Sequence, residues 1–333
     1  MIGYPSCIDA PTPPSIPRVA VFAPAPVLVC TFEYPHDRPD PEVALNVGGQ
    51  GPWVARAIDA LGAHAVLVVP LGGDTGTVAR HLLAEEPHEV RAVATNAAIA
   101  CYLEERREGE RTCIRDAPPG RFGQRELDDL YSAALTAGLD ADVCVITGSP
   151  WDEHVDASLL TRLTADLATL GRTTVADLSG VQLDAALAGG VDWLKIADDE
   201  LGGDEGDGAG EGGGDGAEDR IWERAHALAD AHQRRRCVIV SRADRPALVV
   251  TDHVRYTVSS PGLSTVDARG SGDAMTAALA TGLAAGLPME ALLRRAAAAG
   301  AANAVHKGSA TPDAELVDQL AEAIEVAEVG GPT

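Results

Sequence analysis

Short apolar segments of strand length alternate with amphipathic segments of helical length along most of this chain. The apolar runs lie at Arg18–Phe22, Ala65–Val69, Val143–Ile146, Thr173–Asp177, Trp193–Ile196 and Cys237–Ser241. Helical stretches such as Val54–Leu61 and Glu126–Ala137 lie between them. Strands joined through helices pair in parallel, and the helices then cover both faces of the sheet. The pattern therefore predicts an α/β fold with a doubly wound, mostly parallel central sheet.

Glycine-rich turns follow three of the predicted strands. They are Gly72-Gly73, Thr147-Gly148-Ser149 and Gly270-Ser271-Gly272. In open α/β sheets, ligands bind at the carboxyl ends of the strands. We therefore expect the functional site at the edge of the sheet where these turns gather.

The segment Val266–Asp273 leads directly into a predicted helix at Ala274–Ala285. Unpaired N–H groups and the helix dipole make a helix N-terminus favourable for an anion such as phosphate. An aspartate at that position, here Asp273, can accept a proton from an attacking hydroxyl. Taken alone, the segment fits an aspartate that only caps the helix equally well.

Two segments do not fit the alternation of strands and helices. Ile99–Glu104 and Arg111–Arg115 flank a polar turn, which is typical of a β-hairpin. Together with the apolar run at Val27–Phe32, they predict a small second sheet that covers the site.

The composition limits the classes of partner. Asp and Glu number 50 against 26 Lys and Arg, and the formal net charge is −24. Without a basic stripe, nucleic acids and anionic membranes are not expected as partners. The six cysteines contain no CxxC pair, which fits a reducing compartment. No segment has the length and hydropathy of a transmembrane helix, so we expect a cytoplasmic protein.

The expected organisation is one folded domain at 18–320, with lid segments at roughly 27–47 and 97–118. A Pro-rich arm at 1–17 precedes the domain, and a tail at 321–333 follows it. The stretch 202–219 is almost entirely Gly, Asp, Glu and Ala, which is typical of an unstructured surface insertion.

Several segments resemble the signatures of the ribokinase/PfkB family of carbohydrate kinases. Gly48–Ala55 is similar to the first signature, and Asp267–Asp273 is similar to the second, DTxGAGD. Leu194–Leu201 resembles the KPNxxEL segment. Thr112–Gly120 resembles the lid region of the 1-phosphofructokinase and tagatose-6-phosphate kinase branch. The resemblance extends over roughly residues 18–320, in the family's order.

The resemblance implies a ribokinase-like fold with a small β lid, and ATP- and Mg²⁺-dependent phosphorylation of a sugar or sugar phosphate. By position, Asp273 is the catalytic base, and the amides of Gly270, Ser271 and Gly272 are the anion hole. The implied substrate-binding residues are Gly48, Gly49, Gln50, Trp53 and Arg115. The implied nucleotide-side residues are Lys195, Glu200, Ser241 and Asn303, with Glu200 also near Mg²⁺. The family's habit of dimerising through the lid implies a homodimer.

The chain also departs from the family's motifs. Gln50 replaces a lysine of this branch, and Trp53 replaces an asparagine. Val27 occupies the place of the substrate-binding aspartate, Ala197 that of the KPN asparagine, and the turn Arg242–Pro246 contains no glycine. These changes leave an alternative open, a kinase-fold protein that binds nucleotide or sugar in a regulatory role with little turnover. A Rossmann dehydrogenase is disfavoured because no GxGxxG follows the first strand.

Overall fold

The fold is given by a computed structural model that describes residues 16–35, 40–107, 110–151, 154–201, 215–231, 236–259, 262–305 and 311–330. Residues 1–15 of the predicted arm and residues 202–214 of the predicted insertion lie outside this range. The strands are β1 (Arg18–Phe22), β2 (Val27–Tyr34), β3 (Glu42–Gly48), β4 (His64–Gly72), β5 (Glu89–Thr95), β6 (Ala100–Arg107), β7 (Glu110–Ala117), β8 (Val143–Thr147), β9 (Thr173–Asp177), β10 (Trp193–Ala197), β11 (Cys237–Arg242), β12 (Arg245–Val250), β13 (Arg255–Val258) and β14 (Val326–Glu328). The helices are α1 (Gln50–Ala60), α2 (Gly73–Leu83), α3 (Gln124–Leu139), α4 (Ala157–Thr169), α5 (Gly180–Gly189), α6 (Asp215–Asp230), α7 (Ser271–Ala284), α8 (Met289–Ala304) and α9 (Ala314–Ala323).

The main sheet has ten strands in the order β14-β13-β12-β11-β10-β9-β8-β1-β4-β5. In this order, the strands β11, β10, β9, β8, β1, β4 and β5 are each parallel to their neighbours. At the other edge, β12 pairs antiparallel with β11, to which a tight turn joins it, and β13 and β14 continue the antiparallel pairing. The predicted mostly parallel sheet is confirmed.

Helices cover both faces of this sheet. Alternate residues of β1 point to opposite faces, so that Val19 and Val21 join one apolar core while Ala20 and Phe22 join the other. The first core is completed by α1, α2, α7, α8 and α9, and the second by α3, α4, α5 and α6. A sheet covered on both faces exposes its strand ends, where a ligand can approach.

Helix α7 lies between the sheet and its neighbouring helices α1 and α8. Every residue from Asp273 to Gly282 is buried. Alanine dominates this stretch, and its small side chain allows the helices to pack closely on all sides. The N-terminus of α7 is therefore held firmly at the edge of the sheet.

A second sheet has four strands in the order β3-β2-β6-β7. Strand β2 pairs antiparallel with β3 and parallel with β6, and β6 and β7 form the predicted hairpin. The small β lid expected from the sequence is thus present.

Two segments contribute more to the fold than the sequence predicted. Residues 326–328, expected in a tail, form β14 and pair with β13 at the edge of the main sheet. Helix α6 begins at Asp215, inside the stretch expected to be an unstructured insertion. Within the residues that the structure describes, no helix combines the length and the apolar character needed to cross a bilayer.

Ala243, in the turn between β11 and β12, has a φ of 49°. The left-handed region costs an L-residue with a Cβ about 1–2 kcal/mol, whereas glycine adopts it freely. We expect Ala243→Gly to raise the free energy of unfolding by up to about 1 kcal/mol in chemical denaturation, since glycine's greater freedom in the unfolded chain offsets part of the gain. The control is Ala94→Gly in the extended strand β5, which should lower it by about 0.5–1 kcal/mol. Equal losses in both variants would contradict the strain at Ala243.

Candidate active site

A large cavity of about 1190 Å³ lies between the lid sheet and the carboxyl edge of the main sheet. The lid lines it with residues such as Val27, Tyr102 and Arg111. The loops and strand ends of the main domain line it with Gly148, Ser149, Asp177, Glu200 and Asp273. The site is therefore at the edge of the sheet that the glycine-rich turns indicated.

Asp273 lies in the first turn of α7, where its side chain is 9% exposed and lines the cavity. Burial raises the pKa of Asp273 to about 8; Asp177 and Glu200 add to this shift, while Lys195 opposes it. A carboxyl group with such a pKa is a stronger base than an ordinary aspartate once it is ionised. This matches the requirement for a general base.

Lys195, in β10, is buried beneath the N-terminus of α7. Its Nζ lies 3.3 Å from each carboxylate oxygen of Asp177, and Thr276 Oγ1 donates to Asp177 Oδ2 at 2.8 Å. Burial alone would lower the pKa of Lys195, but Asp177, Asp273 and Glu200 together raise it above its usual value. The ammonium group therefore stays charged and compensates the surrounding carboxylates.

Two glycines at the N-terminus of α7 are required for different reasons. Gly270, the residue that caps α7, has a φ of 75°, which glycine adopts without strain. At Gly272, a Cβ would lie 2.7 Å from Lys195 Nζ. The absence of side chains therefore brings the backbone amides close to the buried ammonium group, and both favour an anion at this point.

The predicted anion hole requires one correction. The amide of Ser271 donates to the carbonyl of Ala268 at 3.2 Å, so that a turn already uses this donor. The amide of Gly272, in the first turn of the helix, has no intrahelical acceptor. We therefore expect the amides of Gly270 and Gly272, and not that of Ser271, to donate hydrogen bonds to a bound anion.

Asn303 of α8 holds the loop before α7 in place. It is 1% exposed, and its Nδ2 donates to the carbonyl of Arg269 at 2.7 Å. The backbone amides of Val266 and Asp267 donate to the carbonyl of Ala304 in the same helix, at 2.8 and 3.1 Å. The sequence placed Asn303 beside the nucleotide, whereas its observed contacts are with the loop.

Glu200 follows β10, and Ser241 lies near the end of the neighbouring strand β11. Glu200 lines the cavity, and its Oε2 accepts from the amide of Ala197 at 3.0 Å. Ser241 lies outside the cavity lining, and its carbonyl accepts from the amide of Asp198 at 3.0 Å. Glu200 thus keeps one carboxylate oxygen for a ligand, while the predicted role of Ser241 stays a prediction.

The first glycine-rich loop enters α1 beside the lid. Gly49, Gln50 and Trp53 line the cavity, and the Trp53 ring lies next to Gly48. Gln50 Oε1 accepts from the amide of Gly148 at 3.0 Å. Gln50 therefore connects two loops of the site, a role that a lysine would not fill because its ammonium group only donates.

Arg115 faces away from the cavity, contrary to the sequence expectation. Leu103 pairs with Arg115 and Glu104 with Cys113, which leaves Ile114 as an extra residue in β7. Such a bulge reverses the alternation of side chains. Arg111 and Cys113 on one side of it and Asp116 on the other line the cavity, and Arg115 is exposed.

Asp177 and Gln182 are site residues that the sequence reasoning missed. Asp177 ends β9 and is 4% exposed. Gln182 Oε1 accepts from the amide of Ser149 at 2.9 Å, and its Nε2 donates to the Ser149 carbonyl at 2.7 Å. A carboxylate at the carboxyl end of a parallel strand was the available signal for Asp177.

Two carboxylates of the cavity have the chemistry that a magnesium ion requires of its protein ligands. Among the residues that the structure describes, no three His, Cys, Asp or Glu side chains form a group that could hold a metal by themselves. Mg²⁺ is commonly bound through one or two carboxylates, substrate phosphates and water. Asp177 and Glu200, both in the cavity lining, offer hard oxygen ligands of this kind.

Comparison with known proteins gives a consistent result. A model of the pfkB family of carbohydrate kinases matches residues 29–315. The chain is 29% identical to ATP-dependent 6-phosphofructokinase isozyme 2 of Mycobacterium tuberculosis, over 94% of this chain and 92% of the relative. It is 30% identical to the protein of that name from Escherichia coli, over 79% and 82% of the two chains.

Solved structures share the fold. Phosphofructokinase-2 from Escherichia coli superposes with a TM-score of 0.76 at 24% identity, covering 92% of this chain and 99% of that one. Ribokinase from Arabidopsis thaliana superposes with a TM-score of 0.64 at 18% identity, covering 92% and 99%. The ribokinase-like architecture expected from the motifs is confirmed.

Proposed function

The chain belongs to the PfkB family of carbohydrate kinases and is thus an ATP-dependent sugar kinase, and we propose that its acceptor is a sugar phosphate. The acceptor binds in the cavity, and Asp273 is the base that takes the proton from its reacting hydroxyl. One observation carries the proposal: a buried carboxyl group with a pKa raised to about 8 lines the cavity at the N-terminus of α7. The relatives named 6-phosphofructokinase and tagatose-6-phosphate kinase support a sugar phosphate as acceptor.

In the proposed mechanism, Asp273 accepts the proton of the acceptor hydroxyl as its oxygen attacks the γ-phosphorus. The amides of Gly270 and Gly272, with the Lys195 ammonium group beneath them, stabilise the negative charge of the transferring group. Asn303 holds the loop so that these donors are in position before the substrate arrives. Asp177 and Glu200 would hold Mg²⁺, which neutralises charge on the phosphates when bound.

The lid also supports a homodimer. Val43 and Leu45 of β3 and Ile114 of β7 are large apolar side chains that are 59%, 45% and 46% exposed. These side chains lie on the two edge strands of the lid sheet, and exposed apolar side chains of this size are typical of interaction surfaces. A cytoplasmic location, where ATP is available, completes the proposal.

The proposal is tested by ADP release from purified protein with ATP, Mg²⁺ and individual acceptors, sugar phosphates beside neutral sugars. We expect ADP release to depend on an added acceptor. Stabilisation of the fold by ATP and sugar phosphate, without ADP release from any acceptor, would instead support the regulatory alternative that the altered motifs left open.

The raised pKa of Asp273 predicts the pH dependence of the reaction. A base acts only when deprotonated, so that a pKa of about 8 leaves most of the free protein inactive at pH 7. We expect kcat/KM to rise about tenfold per pH unit from pH 6 and to level off near pH 8. A profile that is flat between pH 6 and 8 would show that Asp273 is not the titrating base.

A further inference from the structure

Three arginines gather on the cavity, at the side formed by the lid. Arg106 of β6 and Arg111 of β7 come from the lid hairpin, and Arg269 comes from the loop before α7. Buried between two of them is Glu104, which is 5% exposed. Its Oε1 lies 3.7 Å from Arg269 Nη1, and its Oε2 lies 3.3 Å from Arg111 Nε. Arg269 occupies the variable position of the second signature, whereas Arg106 and Arg111 lie outside the segments that indicated the family.

The carboxylates around this cluster are Glu104, Asp267 and Glu33. Arg106 Nη1 lies 3.3 Å from Glu33 Oε1, and the Glu33 side chain is 44% exposed, so that water screens its charge. The Nε atom of Arg106 is buried without a hydrogen-bond acceptor among the described residues. Buried donors of this kind carry a desolvation cost until an acceptor reaches them.

Electrostatics around Arg111 agree with this view. Burial lowers the pKa of Arg111, Glu104 raises it, the neighbouring Arg106 and Arg269 lower it, and Asp267 raises it; the net direction is downward. The guanidinium group would therefore be more stable with another negative charge beside it. Planar guanidinium groups pair with phosphate and carboxylate through two parallel hydrogen bonds, which a neutral hydroxyl cannot match.

We propose that Arg106, Arg111 and Arg269 bind an anionic group, a phosphate or a carboxylate, carried by the acceptor sugar. The inference rests on the proposed function, because it assigns the far end of the acceptor whose hydroxyl reaches Asp273. Arg269 links the two ends: it lies in the loop that leads into α7 and Asp273, and Glu104 of the lid lies 3.7 Å from it. An anion bound by the three arginines therefore contacts the lid and this loop together.

The test compares Arg111→Gln with Arg115→Gln, a matched control on the same strand whose side chain faces away from the cavity. KM and kcat are measured for fructose 6-phosphate against fructose and for gluconate against glucose. We expect Arg111→Gln to raise KM for the anionic acceptor by on the order of 10- to 100-fold, with KM for ATP and for neutral sugars nearly unchanged. Arg111→Lys, which keeps the charge but not the planar guanidinium group, should raise KM for the anionic acceptor by an intermediate factor. Activity on fructose 6-phosphate but not on gluconate identifies phosphate as the bound group, and the reverse result identifies carboxylate.

Equal effects of Arg111→Gln and Arg115→Gln, or an Arg111→Gln effect confined to KM for ATP, would overturn the assignment while leaving the kinase function intact. If no acceptor is phosphorylated, the proposed function fails, and the cluster is tested by thermal unfolding with inorganic phosphate against sodium chloride at equal ionic strength. Phosphate should then stabilise the parent and Arg115→Gln more than Arg111→Gln, and equal shifts would refute the site. Arg269→Gln, with a half-exposed side chain, provides the same comparison if Arg111→Gln does not fold.

Discussion

Replacement of Asp273 by asparagine lowers kcat by about 10²–10⁴-fold, the usual effect of removing a positioned base. Asparagine keeps the shape of the side chain but cannot accept the hydroxyl proton. The same change raises the free energy of unfolding at neutral pH. The folded state raises the pKa of Asp273 to about 8, whereas in the unfolded chain the group ionises near pH 4, so that ionisation favours unfolding between these values.

The stability effect has a defined sign and pH window. The contribution of Asp273 is most favourable below the unfolded pKa and is lost as the pH rises through the folded pKa of about 8. Asp273→Asn should therefore be more stable than the parent by on the order of 2–4 kcal/mol at pH 7 and above, and the gain should vanish near pH 4.

The measurement is denaturant unfolding of Asp273→Asn and the parent at several pH values, together with kcat, and Asp74→Asn is the control. Asp74 is an exposed first-turn acid of α2, and its replacement should change neither quantity. An inactive Asp273→Asn that is less stable than the parent at every pH would point to a structural role instead.

Replacement of Lys195 by methionine destabilises the fold by about 3–5 kcal/mol, because it leaves buried carboxylates without their cation. Lys195 also lowers the pKa of Asp273, so that its removal moves the pH profile of kcat/KM to higher pH. Arg162→Met is the control. The Arg162 ion pair with Asp128 spans 3.6 Å between two exposed side chains, and its loss should cost less than about 1 kcal/mol.

The double variant Lys195→Met/Asp177→Asn separates charge from packing. Removing the carboxylate together with its cation should recover part of the stability lost in Lys195→Met. If the double variant is as unstable as the sum of the two single variants, the ion pair does not account for the loss.

The sequence was sufficient where local chemistry decides the structure. The alternation of apolar and amphipathic segments predicted the sheet, and the glycine-rich turns predicted that the cavity lies at the carboxyl edge of that sheet. Both depend on contacts that are close along the chain or on periodicity, and both can be read from a single sequence.

The sequence was insufficient where pairing between distant segments decides. Arg111 and Arg115 are equivalent by periodicity, and only the bulge at Ile114 turns the first toward the cavity and the second away. Asp177 acquires its role from Lys195 and Thr276, which the sheet and α7 bring to it. The use of the Ser271 amide by the Ala268 carbonyl likewise depends on the exact path of a turn.

The most direct test of the central claim follows the γ-phosphoryl group itself. The parent protein and Asp273→Asn are incubated with ATP, Mg²⁺ and a sugar phosphate acceptor, and the products are followed by phosphorus NMR. The account predicts a new phosphate ester on the acceptor in one-to-one ratio with ADP for the parent, formed at least about 100-fold more slowly by the variant. ADP with free phosphate and no new ester, or equal rates of ester formation in the two proteins, would contradict it.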